Sequence, residues 1–315
     1  DLGGIVLGMN RAYDDIWSIH SENNFDIYGK RRSLTSTYGV TYTPDALWTF
    51  SGGFEYGKIV DPNAYEFDRK AISLGIAYKD EDKVQAHLRG ELRLDDSDEN
   101  EKDVQSYFVS GGLSYKANPD WRIVTSLDAV FSQSDQSSIR NGDFVEGSIG
   151  FAYRPVENDR LNALFKYTYL YDLPGVDQSV ASGDRNGPRQ KSHVLSADAT
   201  WQANNFLSIG GKYGFRIGDV ETGSNTGVYD QESAHLAIAR ADIHVLHNWD
   251  LMLEGRVLWS PSTQTTDLGA LAAVYRHVGN NMKVGIGYNF GRFSDDLTDL
   301  THDDQGVFLN VIGKF

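Results

Sequence analysis

The sequence predicts an all-β protein, a closed antiparallel transmembrane β-barrel of about sixteen strands. Alternating apolar and polar runs end on an aromatic residue and a short polar turn at Tyr42, Tyr78, Tyr115 and Tyr153, about 37 residues apart. Evenly spaced short strands with an aromatic residue at one fixed end are typical of such barrels. Composition does not change along the chain as it would at a linker, so we expect a single barrel domain over 1–315.

Period-two alternation bounded by Gly, Pro, Asn and Asp sets the strand boundaries. The predicted strands lie near 3–13, 33–43, 47–60, 67–79, 84–95, 104–117, 121–134, 143–155, 160–172, 191–203, 206–219, 234–247, 249–260, 266–278, 282–293 and 304–315. Most exceed the roughly 9–11 residues that cross a bilayer.

The connections between these strands alternate between short turns and longer acidic segments. This arrangement predicts short periplasmic turns and long acidic extracellular loops, among them 14–32, 96–103, 173–190 and 294–303. The even strand count predicts that both ends lie on the periplasmic side and that strand 3–13 pairs with 304–315. The loop at 173–190 is long enough either to fold inward as a constriction or to lie outside.

Each predicted strand has one apolar and one polar row. A charge facing lipid at the midplane costs about 2–4 kcal/mol, so we expect the polar row to line the lumen. The predicted lumen-lining residues are Glu55, Arg89, Glu91, Arg93, Asp128, Glu146, Lys166, Asp198, Lys212, Arg216, Arg240, Asp242, Glu254, Arg256 and Lys283. Their charges nearly balance, so the net charge of −15 belongs mainly to the loops.

Aromatic residues at the strand ends predict two interfacial girdles. The predicted girdle residues are Tyr42, Trp48, Tyr78, Tyr115, Trp121, Tyr153, Trp201, Trp249 and Trp259. All but Trp259 lie beside short turns, whereas Trp259 and Trp17 lie near long loops. A soluble β-sandwich would alternate too, but the strand number, the aromatic ends and the sorted turn lengths favour the barrel.

Composition and motifs exclude several functions. The chain has no cysteine, which removes disulfides, thiolate catalysis and iron–sulfur ligation. The negative net charge argues against nucleic acid as a partner. No nucleophile turn or phosphate-binding glycine loop is present, so we expect no enzymatic activity, with an outer-membrane hydrolase as the weakest alternative.

We also expect no cofactor and no metal site. The acidic loops carry no Asp-x-Asp-x-Asp-Gly motif, so a solvated acidic surface is favoured over Ca²⁺ binding. His235 and His244 with Asp242 could suggest a catalytic or metal group, but polar residues on a lumen face explain them more simply.

Three stretches resemble a known group of proteins. They are 153–172, 285–297 and the alternating terminal strand 306–315. Together they resemble the C-terminal barrel of large multidomain outer-membrane proteins of Gram-negative bacteria, whose role is mostly unassigned. The terminal Phe315 is similar to the signal that barrel-insertion machinery reads. The resemblance implies an outer-membrane location, with lipid, lipopolysaccharide and the insertion machinery as partners.

Two roles remain open from the sequence. The first is a membrane anchor or conduit for a larger protein or assembly, with a fused or bound periplasmic or surface protein as partner. The second is a porin-like diffusion channel for small solutes or ions, which the barrel width and the polar lumen favour. Because opposite charges facing each other across a narrow lumen would pair and obstruct it, the balanced polar row favours the first role.

Overall fold

The computed structural model describes residues 3–28, 32–60, 66–97, 103–134, 143–158, 160–172, 189–221, 228–246, 248–279, 282–293, 295, 297 and 305–313. Seventeen β-strands make up this part of the chain. They are β1 (Gly3–Ala12), β2 (Trp17–Tyr28), β3 (Arg32–Tyr42), β4 (Trp48–Val60), β5 (Glu66–Asp80), β6 (Val84–Ser97), β7 (Val104–Lys116), β8 (Trp121–Ser134), β9 (Phe144–Tyr153), β10 (Leu161–Asp172), β11 (Gln190–Gln202), β12 (Leu207–Glu221), β13 (Tyr229–Leu246), β14 (Trp249–Ser260), β15 (Thr265–Val278), β16 (Met282–Asn289) and β17 (Gly306–Gly313).

Every strand pairs antiparallel with its neighbour in sequence, from β1–β2 to β16–β17. Such a meander is the all-β antiparallel fold that the alternation predicts. The predicted count of sixteen is one short, because the segment assigned to a loop over 14–32 contains β2. Its polar sequence, with two adjacent asparagines, resembles that of a loop. Its backbone nevertheless pairs with β1 on one side and with β3 on the other.

Because the strand number is odd, the two end strands of the sheet are not related as predicted for sixteen strands. β1 pairs with β2 over Gly3–Ala12, and the residues described show no pairing between β1 and β17. The sheet is therefore not closed by the predicted pairing of 3–13 with 304–315. Gly3 lies opposite Tyr28, whereas Gly313 lies opposite Met282 at the other end of the sheet, so the prediction that both ends lie on one side is wrong.

One end of the sheet carries connections such as 13–16, 43–47, 117–120 and 203–206, and we call it the short-turn end. An Asx side chain organises these turns: Asp14, Asp45 and Asn118 each accept hydrogen bonds from the N–H groups two and three residues later, at 2.6–2.9 Å. The Asx carbonyl oxygen thereby holds the tight turn before the next strand begins. In each turn the second of these hydrogen bonds is donated by the backbone N–H of the Trp that begins the next strand.

The outer face of the sheet is apolar and exposed. Leu74 is 68 % exposed and Leu268 74 % exposed, and Ile72, Leu195 and Ile286 are exposed on the same face. A soluble protein rarely leaves so continuous an apolar surface in water, so this face is suited to lipid. Within the described residues, no helix is long and apolar enough to cross a membrane.

The opposite, polar face is the inner face. Rings on it lie over glycines of the neighbouring strand: Tyr275 lies over Gly285, and His87 lies over Gly112. A methyl group added at Gly285 would overlap the Tyr275 ring, which is buried. Glycine is therefore required there by a close approach, and the ring covers the backbone that glycine leaves open.

We predict that Gly285→Ala lowers the free energy of unfolding by about 1–3 kcal/mol, because the Tyr275 ring must leave its position. The matched control is Gly255→Ala on the outer face of β14, where an added methyl group meets nothing within 4 Å. Urea unfolding in lipid or detergent, followed by tryptophan fluorescence, measures both. Equal effects of the two substitutions would contradict the role assigned to the ring.

Candidate functional site

The strand register places all of the predicted lumen-lining residues on the inner face. In β6 this face holds Arg89, Glu91 and Arg93, opposite the small residues Ser73 and Gly75 of β5. The same alternation carries through each neighbouring ladder to Lys283 on β16. The small residues leave room for the long charged side chains beside them.

The charges of the inner face pair within the wall. Glu91 lies between Arg89 at 3.2 Å and Arg93 at 2.6 Å, all on β6. Arg240 pairs with Asp242 on β13, and Arg256 pairs with Glu254 on β14. Each pair joins residues two apart on one strand, so the sequence expectation that opposite charges meet across the lumen is not what these residues show.

Other predicted lumen residues lie side by side without such a bridge. Asp128 of β8 is directly opposite Glu146 of β9, which places two carboxylates on neighbouring strands. Asp198 of β11 is opposite Lys212 of β12. The Lys212 ammonium instead donates to the backbone carbonyl of Asp295.

One ion pair on the inner face was not predicted from the sequence. Arg69 of β5 donates two hydrogen bonds to the Asp95 carboxylate of β6, at 2.7 and 2.8 Å, and both side chains are largely buried. The predicted strand ends at Asp95 and the predicted acidic loop begins at Asp96, but β6 continues to Ser97. The sequence carried one signal for this pairing, the two adjacent positive charges Arg69 and Lys70 on the strand before Asp95 and Asp96. Lys70 pairs with Asp96.

The described residues of 291–297 form a segment that lies on the inner face, which we call the inner segment. Its backbone carbonyls accept hydrogen bonds from the wall: Lys212 Nζ to Asp295 O at 2.5 Å, and Arg216 Nη1 to Leu297 O at 3.0 Å. Arg216 is 6 % exposed, and it also donates to the Gln190 side chain at 3.1 Å. A buried guanidinium thus has neutral acceptors, one of them in the inner segment.

Apolar contacts hold the inner segment as well. Phe293 and Leu297 are buried in a cluster with Val194 and Leu236 of the inner face. Two glycines make room for them: a methyl group at Gly214 would lie 3.0 Å from Leu297, and one at Gly269 would lie 3.3 Å from the Phe293 ring. The inner face therefore contains an apolar patch that the charge-based prediction of a polar row missed.

The inner segment runs across the strands rather than along them. It leaves β16 and contacts Gly214 on β12, four strands away, a span of about 19 Å at the usual strand spacing. The eight residue steps from Asn289 to Leu297 extend to at most about 29 Å. The chain therefore crosses the inner face over a substantial part of its width.

This position corrects the predicted loop arrangement. The acidic stretch 294–303 was expected outside the barrel, but its described members, Asp295 and Leu297, contact the inner face. The loop that the sequence offered as a possible constriction, 173–190, lies almost wholly outside the described residues. Phe315, the predicted insertion signal, also lies outside them.

All of the predicted girdle residues fall on the outer face by register. Trp48 packs on Tyr78 and Trp121 on Tyr153, each with ring centroids 4.8 Å apart across neighbouring strands. Trp17 packs on Tyr42 at the short-turn end, so its predicted position near a long loop is wrong. Trp259 lies at the opposite end of β14 from Trp249.

The histidine group considered from the sequence does not assemble. His235 is on the outer face, stacked on Trp259, and Asp242 pairs with Arg240. His244 instead contacts Asp250, its cross-strand partner on β14. That aspartate also contacts His277 and Lys283.

Comparison with solved structures places this fold among the barrels of the bacterial outer membrane. The copper transporter OprC matches 98 % of this chain with a TM-score of 0.56 at 9 % identity, and the chain spans 62 % of that protein's length. A bacterial polysaccharide outer membrane secretin matches 90 % of this chain and 91 % of its own at 12 % identity, with a TM-score of 0.45. The outer membrane channel DcaP of Acinetobacter baumannii matches 98 % of this chain and 97 % of its own at 8 % identity, with a TM-score of 0.44.

At these identities the comparisons establish the fold alone. No protein-family model matches the chain, and no curated protein sequence matches it. The matched secretin and DcaP are outer-membrane proteins, and the apolar outer face of this sheet independently suits the membrane location predicted from the sequence. The class that the fold defines is the all-β antiparallel sheet of outer-membrane-barrel type.

We predict that Gly269→Cys combined with Gly291→Cys forms a disulfide under mild oxidation. A β-carbon built on either glycine lies within 3.6 Å of the other's α-carbon, and the chain has no competing cysteine. The control pair combines Gly291→Cys with Gly255→Cys, which faces outward. Thiol alkylation and mass spectrometry count the free thiols, and equal oxidation of both pairs would contradict the placement of the inner segment.

Proposed function

We propose that the protein is an outer-membrane channel that passes small hydrophilic solutes or ions along its polar inner face. The observation that carries this proposal is that acid–base pairs lie along single strands, as in Arg89–Glu91–Arg93. Charges neutralised within the wall do not bridge the passage. A sheet of this many strands is wide enough for an aqueous lumen.

The inner segment fits this proposal as the constriction of the channel. It lies over the inner faces of β12 to β15, where Arg216 and Arg256 donate to the carbonyls of Leu297 and Phe293. A segment that is held by two guanidinium groups and by buried Phe293 and Leu297 narrows the passage without sealing it by cross-lumen ion pairs.

A channel also requires a closed wall, and we propose that the sheet closes. A sheet edge in lipid leaves N–H and C=O groups unpaired, at a cost of several kcal/mol for each group. β1 and β17 run in the same direction, from the end at Tyr28 and Asn289 toward the short-turn end. A direct β1–β17 pairing would therefore be parallel, unlike every other pairing in the sheet.

Conductance across a planar lipid bilayer tests the channel. The purified chain should give discrete current steps, and Arg216→Met should give larger or more variable steps because the inner segment loses its buried donor. Lys166→Met is the matched control, since it removes one positive charge of the inner face at a position opposite Gly150, away from the segment. Oxidation of the cysteine pair at 269 and 291 should keep the steps small, and reduction should reverse that effect.

A silent bilayer would contradict the channel and favour the other role. The anchor or conduit for a larger protein, which the resemblance to multidomain outer-membrane proteins implies, stays a prediction. If Arg216→Met and Lys166→Met change conductance equally, charge alone governs the current and the inner segment is not the constriction.

A further inference from the structure

Four side chains that the proposed channel does not use converge at the short-turn end of the inner face. They come from four neighbouring strands: His244 on β13, Asp250 on β14, His277 on β15 and Lys283 on β16. The Asp250 carboxylate contacts His244 Nδ1 at 2.7 Å, His277 Nε2 at 2.8 Å and Lys283 Nζ at 2.5 Å. One carboxylate thus lies at the centre of three basic groups.

Backbone geometry fixes this convergence. A tight connection joins β13 to β14 and sets His244 directly opposite Asp250, next to a bulge between His244 and Leu246. His277 is directly opposite Lys283 in the next ladder but one. Since ladder positions on rigid strands hold their side chains more closely than loops do, the three potential ligand residues are arranged before any ligand arrives.

We propose that His244, Asp250 and His277 bind a divalent transition-metal ion of the Zn²⁺ and Cu²⁺ class. Two imidazole nitrogens and a carboxylate oxygen are ligands that such ions prefer, and a water completes four-coordination. One ligand atom from each residue lies within 4.8 Å of the others. Metal bonds of about 2.0–2.1 Å need ligand atoms about 3.3 Å apart, a shift that small side-chain rotations supply.

The site is open to water and to an arriving ion. The His244 and His277 side chains are 39 % and 40 % exposed, whereas Asp250 is 16 % exposed. The two rings meet edge to face, with centroids 6.3 Å apart, so both can turn a nitrogen toward a common point. The deeper carboxylate would anchor the ion, and the two rings would complete its contacts from the lumen side.

Lys283 opposes the metal and therefore sets its affinity. Its ammonium is bound to Asp250 Oδ2, so a cation must compete with it for the carboxylate. The ammonium also lies 4.6 Å from the centre of the Tyr275 ring, a contact that remains available when it leaves the carboxylate. Removing this charge should strengthen metal binding, whereas a purely structural ion-pair network predicts no such gain.

Isothermal titration calorimetry of the full chain with ZnCl₂ and CuSO₄ tests the proposal. His244→Gln and His277→Gln, which keep a hydrogen-bonding amide but lose the imidazole, should each weaken binding by about tenfold or more. Lys283→Met should tighten it, with Lys283→Gln as a second variant if the first fails to fold. His235→Gln is the matched control on the outer face of β13 and should bind as the unmodified chain does.

Electron paramagnetic resonance of bound Cu²⁺ gives an independent readout. Nitrogen hyperfine structure from two imidazoles is expected in the unmodified chain, and one of the two contributions should vanish in His277→Gln. Binding that is equal in all variants, a Lys283→Met variant that folds but binds no more tightly, or Mg²⁺ binding as strong as Zn²⁺ binding would overturn the proposal.

Discussion

The antiparallel ladder is the constraint on which the rest of this structure depends. In lipid, each backbone N–H and C=O must be paired by a neighbouring strand, so the strands run as one meander in which sequence neighbours are also spatial neighbours. The pleat then sends successive side chains to opposite faces, and a slip of one residue would exchange them. The register therefore places Leu253 on the outer face and Glu254 on the inner face.

Charge on the inner face follows from the same ladder. Residues two apart on a strand point the same way, so Arg240 reaches Asp242 and Arg256 reaches Glu254 without leaving the wall. Neutralisation along the strand keeps long side chains lying on the sheet, where their apolar stems cover backbone. The wall thereby carries many charges while its surface stays compact and nearly neutral.

The inner segment shows how a crossing chain is held against such a wall. Its carbonyls cannot pair with a ladder, so guanidinium and ammonium groups from Arg216, Lys212 and Arg256 supply the donors. Its apolar side chains need space close to the backbone of the wall. Gly214 and Gly269 provide that space because they lack a β-carbon. Donors and glycines on the three strands β12, β14 and β15 thus form a single binding surface for the segment.

The sequence by itself determined the strand alternation, the inner and outer rows, and the aromatic positions other than that of Trp17, because each depends on residues close in sequence. It did not determine β2, whose polar alternation resembles a loop until β1 and β3 pair with it. Nor could it bring together His244, Asp250 and His277, or place Leu297 against Gly214, because no local spacing encodes contacts between separate strands. Those contacts were decided by tertiary structure, through the register of consecutive hairpins and the path of the chain after β16.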